Sequence, residues 1–179
     1  MASYEKHILH GVLAGFITGI AVGVLVLIIV TPSLEDMVRD IVIHSLPRDL
    51  PPSAVEEVVR SALGITRVAV FIAPVAEVIQ YVLIGAVFGL VKGVFRVKLK
   101  LDEVTSAITA GVLHILLLGI LPILILFTLY TEIVEVISKY FNLHLAVAVP
   151  GVVFTLAIVL ISSLRGPWTK LTEARPREV

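Results

Sequence analysis

Four apolar stretches run through the chain: Ile8–Val30, Val68–Val91, Val104–Thr131 and Leu143–Leu164. Each matches the roughly 20 residues that cross a bilayer as a helix, and polar residues gather between them. The pattern predicts an all-α integral membrane protein with four transmembrane helices, forming a single transmembrane domain over residues 1–179. The first stretch is longer than a signal-peptide core, and no A-x-A site follows it, so it is expected to be retained.

The connectors are patterned too. Over residues 32–66 the first reads as an external amphipathic segment. Thr31-Pro32-Ser33 is expected to end the first span, with Ser33 capping a short helix and Asp36 at the box position. Leu34, Met37, Val38, Ile41 and Val42 give that helix an apolar face, so it is expected to lie along the interface. Pro47, Pro51 and Pro52 mark a break, and Ser53-Ala-Val-Glu56 reads as a capping box for a helix leading into the second span. In the third connector Glu132, Glu135 and Lys139 alternate with apolar residues, so the third span is expected to continue into the interface.

Glycines change the picture most. Gly11, Gly15, Gly19 and Gly23 recur every four residues in the first span, and Gly85, Gly89 and Gly93 do so in the second. Residues four apart share a helix face, so each run is a strip without side chains. In a soluble helix each interior Gly costs about 1 kcal/mol against Ala. In lipid a bare strip lets another backbone approach. These glycine zippers predict close packing, within one chain or between copies, and a homo-oligomer or membrane-complex partner.

Charge sets the expected orientation. Nine Lys or Arg fall in the N-terminus, the second connector and the tail, against five in the first and third connectors. By the positive-inside rule both termini are cytoplasmic, in a multi-pass protein of the cell membrane. Formal net charge is zero, which points to no nucleic-acid partner. Mean hydropathy is +1.06, which makes the lipid bilayer the main partner. There is no cysteine, which removes disulfides and thiolate chemistry. Single Gln and Asn residues point to a thermophilic source. Trp168 reads as an aromatic-belt residue, and Lys98, Lys100, Arg175 and Arg177 suit anionic lipid heads.

A shift of one hundred residues aligns Gly11-Val-Leu with Gly111-Val-Leu, Gly19 with Gly119, Thr31 with Thr131 and Glu35 with Glu135. Two parallel two-helix repeats are the corresponding expectation; chance alignment of apolar helices is the alternative.

Glu77 is the only Asp, Glu, Lys or Arg well inside a span. Such a residue costs about 2.5–3.5 kcal/mol at bilayer depth and is functional by default. Gln80 shares its face, and Pro74 leaves the Val70 carbonyl without its helical donor. Together they form a polar notch suited to a cation or a proton. His114, in the third span, is a candidate second station. His7 and His10 share a face at the start of the first span. They offer two ligands for a metal, or interfacial anchoring beside Tyr4. No cofactor is otherwise implied, and a divalent cation stays open. Thr105, Ser106 and Thr109 open the third span and are expected to bond neighbouring helices. No phosphate loop, H-E-x-x-H or Asp-rich pair occurs, and Ser162-Ser163 lacks a base, so no catalytic residues and no enzyme are expected.

The run Gly11-Val-Leu-Ala-Gly15 through Gly19, Gly23 and Thr31-Pro-Ser-Leu-Glu35 resembles the start of the CbtA-like family of cobalt-transporter membrane proteins, over about 25 residues. The resemblance implies a polytopic, transport-associated protein handling a divalent cation, and no functional residue is carried over from it. The expected function is part of a transport pathway for a small cation or protons. A non-transporting scaffold in a membrane complex is the alternative.

Overall fold

The structure, a computed structural model, describes residues 2–164. Arg165, Trp168, Lys170, Arg175 and Arg177 lie outside the described residues. Among those described every element is helical: α1 (Ala2–Leu25), a π-helical segment (Val26–Val30), α2 (Thr31–Ser45), α3 (Pro52–Val97), α4 (Glu103–His114), a second π-helical segment (Ile115–Ile120), α5 (Leu121–Leu129), α6 (Thr131–Ser138) and α7 (Leu143–Ser163). Four continuous helical runs are long and apolar enough to cross a membrane.

One boundary differs from expectation because of how a proline is accommodated. The first span does not end at Thr31-Pro32-Ser33. The chain stays helical from Ala2 to Ser45, and Ser33 caps nothing; its hydroxyl bonds back to the Val30 carbonyl. A proline clashes with the carbonyl four residues before it, and the wider π turn over Val26–Val30 makes room for Pro32. The second π segment, Ile115–Ile120, sits just before Pro122 in the same way. Pro32 and Pro122 are thus each absorbed by one wide turn, whereas Pro74 and Pro150 sit inside α3 and α7 without one.

The first part of this connector, up to Ser45, therefore continues the α1 rod instead of starting as a separately capped helix, and its last part, from Pro52, belongs to α3. Nor is Ser53 a cap. α3 begins at Pro52 behind Pro51, and no side chain caps it. α5 stops at Tyr130, whose φ of −134° and ψ of 43° leave the helical region, so α6 is a separate helix.

α1 and α3 run antiparallel with their glycine strips face to face. A Cβ on Gly11 would lie 2.6 Å from the Gly89 Cα, and one on Gly15 would lie 2.7 Å from the Tyr81 carbonyl carbon. Backbone touches backbone at Gly11, Gly15, Gly85 and Gly89. Gly93 lies against Tyr4 and His7, Gly19 against Val78, and Gly23 more loosely against Pro74. The seam closes within one chain, so these glycines offer no face to a second copy.

At the other end of α1 and α3, α2 and α6 complete a small outer cluster in which Met37, Val59, Val134 and Val136 are buried. Tyr140 donates to Asp40 at 2.7 Å, and Arg67 bonds both oxygens of Glu35. α7 leans on α1 and α4 in the basic half of the bundle. There Ala14, Phe88, Ala107, Phe154, Ala157, Ile158 and Ile161 form the main core.

Candidate functional site: a buried ammonium at the basic end

The buried positions of each helix follow helical spacing, and polar residues complete the series at one end. In the basic half of α1 they are His7, His10, Gly11, Ala14, Gly15, Thr18 and Gly19; in the basic half of α3 they are Gly85, Phe88, Gly89, Lys92 and Gly93. α4 contributes Ser106, Ala107, Ala110, Gly111 and His114 beyond Glu103. The stripes converge where the chain enters α1, leaves α3, enters α4 and leaves α7.

Lys92 is 0% exposed there. Its Nζ donates to Glu103 Oε1 at 2.7 Å, to Ser162 Oγ at 2.6 Å and to His10 Nδ1 at 3.1 Å. An ammonium carries three donors, and each has an acceptor on a different helix. A charge without water is tolerated only when paired and hydrogen-bonded, and this one is both. The bond from Lys92 makes His10 Nδ1 the acceptor, which places the His10 proton on Nε2. That buried atom has no hydrogen-bond partner.

His7 Nδ1 and His10 Nδ1 each lie 3.7 Å from Glu103 Oε1. Arg96 Nε stands 3.5 Å from Glu103 Oε2. Asp102 caps α4 through the amides of Val104 and Thr105 and the Thr105 hydroxyl. The Thr105 hydroxyl, chief among these bonds, holds the Asp102 carboxyl below its ordinary range. The cap fixes the first turn of α4 and hence the position of Glu103.

His7 and His10 are 4% and 2% exposed, which corrects the expectation that they anchor at the surface. Glu103 supplies the carboxylate that the sequence did not place beside them. The three offer ligand atoms within 4.8 Å of one another, a set suited to a divalent metal. Lys92 Nζ, however, already bonds two members of that set, Glu103 Oε1 and His10 Nδ1, so a metal would compete with the ammonium for both.

Ser162 also differs from its sequence reading, because Lys92 and His10 both stand beside it. The arrangement is still not that of an activated nucleophile. Its hydroxyl donates to the Ile158 carbonyl, and Lys92 is paired with a carboxylate. A lysine base must be free to take a proton. Ser106 and Thr109 bond carbonyls of their own helix rather than neighbours.

Elsewhere, Glu77 is half-buried and Gln80 exposed, and neither forms a hydrogen bond or ion pair with another described residue. Pro74 packs against Gly23. His114 is held among aromatic rings, stacked on Phe154 at 4.4 Å and edge-on to Phe88 at 5.0 Å. Those rings and Ala107 and Ala110 separate it from the ammonium cluster.

Lys92 was missed in the sequence because it sits one residue past the apolar run, where a basic residue counts as a topology signal. The pattern still carried it. Lys92 lies three residues beyond Gly89 and seven beyond Gly85, on the buried face. The chain matches no protein-family model, no curated protein and no solved structure.

Proposed function

We propose that the chain is a multi-pass membrane protein forming part of a transport pathway for a small cation or protons. The exchange site lies at its basic, cytoplasmic end. The observation that carries this reading is the Lys92 ammonium, a cation without water held by acceptors on α1, α4 and α7. Lys92 is a tethered stand-in for the cargo. A cation or proton that reaches Glu103 competes for the same oxygen, frees Lys92, and loosens α3 from the three helices it joins. The charge-bearing role expected of Glu77 passes to Glu103, which sits in the only ion-paired cluster that joins all four spans among the described residues.

Orientation rests on the excess of Lys and Arg at this end. The duplication reading draws support from Thr31 and Thr131, each of which opens the helix that follows an apolar span.

The test is proton flux in liposomes holding the purified protein and a trapped pH dye. Flux is expected from wild type and lost in Glu103→Gln, with elution volume in detergent unchanged. A second reading, a scaffold within a membrane complex, is favoured by the seam of backbone contacts between α1 and α3. Equal flux from Glu103→Gln and wild type, or none from either, would decide for the scaffold.

A further inference from the structure

We propose that the cavity beside His114 binds a neutral amphiphile that enters sideways from the bilayer. Such a molecule has a hydrocarbon tail and one uncharged hydrogen-bonding head.

His114 is 3% exposed, and neither of its ring nitrogens has a partner within the protein. Buried polar atoms are nearly always satisfied, so two orphans on one side chain point to something that binds there. The ring cannot turn away to find a partner, because Phe154 covers its face and Phe88 meets it edge-on. His114 forms part of the wall of a cavity of about 80 Å³, with Tyr81, Leu118, Ala146 and Pro150 among its other residues. Pro150 has no N–H, so the Ala146 carbonyl in the same wall lacks its helical donor. A neutral imidazole provides one donor and one acceptor, and the freed carbonyl adds a second acceptor.

A second cavity, of about 220 Å³, lies between α1 with its π segment and the first half of α7. Val22, Leu25, Val26, Ile29, Leu145 and Val149 make its walls hydrocarbon. Ala146 and Pro150 belong to both cavities, so the apolar cleft abuts the polar one. Ile29 and Leu145 at its rim are exposed, which opens the cleft on the outer surface of the bundle. On the opposite side Phe88, Phe154, Ala107 and Ala110 close the core. The approach to His114 therefore runs along hydrocarbon, which selects a ligand that is apolar for most of its length. Neither cavity has an Asp, Glu, Lys or Arg in its wall, which selects an uncharged head. The smaller cavity, at about 80 Å³, has room for a small head such as a hydroxyl or carbonyl with its adjoining carbons. None of these residues belongs to the ammonium cluster, so the inference stands apart from the transport reading.

The experiment uses the full chain in detergent with ¹⁵N-labelled histidines. The His114 resonance is assigned by eliminating the other four through His→Gln variants. The probes are n-decanol and n-decane at equal mole fraction in the micelle. The expected result is a saturating shift of the His114 nitrogens with decanol and none with decane. Val149→Phe fills the cleft without touching His114, and should weaken the decanol effect at least tenfold while the other four resonances stay in place. The proposal is overturned if decanol leaves His114 unmoved, as it would if the cavity held only water. It is equally overturned if decane acts as decanol does, or if Val149→Phe changes nothing.

Discussion

Lys92 Nζ and Glu103 Oε1 lie 2.7 Å apart across the turn from α3 to α4, the lysine wholly buried and the glutamate partly so. They are eleven residues apart in sequence, yet their pairing draws in His10 from α1 and Ser162 from α7. One side chain thus ties every membrane-length helix at a single height.

Removing Glu103 leaves Lys92 charged and buried, so Glu103→Leu should destabilise the bundle by about 3–5 kcal/mol. Lys92→Met should cost less, because Glu103 is partly exposed and keeps Arg96 beside it. The double variant should recover part of that loss, because no lone charge remains. Thermal unfolding in detergent, run as a double-mutant cycle, measures the coupling. Strictly additive losses would show that the two do not interact.

The glycine seam makes a graded prediction. A methyl at Gly11 or Gly85 meets the opposing backbone, which cannot yield as a side chain can. Gly11→Ala and Gly85→Ala should cost about 1–3 kcal/mol each. Gly23→Ala should cost less, since its Cβ would sit 3.2 Å from the Pro74 Cα. Gly64 has nothing within 4 Å of an added methyl, and Gly64→Ala should stabilise α3 by about 1 kcal/mol through helix propensity. Ordering the midpoints of these variants by thermal denaturation tests the series.

At the outer cluster, Tyr140 donates to the Asp40 carboxylate, and this bond, chiefly, pushes the phenol up to about 12. A group whose folded value is raised contributes its full stability below its ordinary value near 10. That contribution fades as pH rises through about 12. Difference absorbance between wild type and Tyr140→Phe should therefore show a phenolate that forms about two units late. Asp40→Asn should return it to the ordinary range. An unshifted titration in wild type would rule out the bond.

Much of the architecture was legible in the chain. Apolar runs of bilayer length set the four membrane-length helices, because length and hydropathy suffice for that. The glycine spacing located the α1–α3 seam, since only a backbone contact makes seven such residues useful. What failed was the reading of Pro32 as a stop. It looks like a helix end when only the α-helical ladder is considered, and the π turn before it, like the one before Pro122 within the third span, makes it compatible with a continuous rod. The site was half legible. His7 and His10 stood out by spacing, but Glu103 joins them only through the fold of the turn between α3 and α4. Lys92 was hidden by its position at the edge of a span. Glu77 drew notice because charge in an apolar run is rare, and the fold gives it no partner among the described residues.

The length of α3 has a consequence of its own. Its 46 residues reach about 69 Å at 1.5 Å per residue, against a hydrocarbon layer about 30 Å thick. With Lys92 near one boundary, Phe71, 85% exposed, falls about 31 Å along the same rod, at the other. A rod of that length exceeds the layer by about 39 Å, so more than half of it, with α2 packed along the part near Arg67, cannot be covered by hydrocarbon.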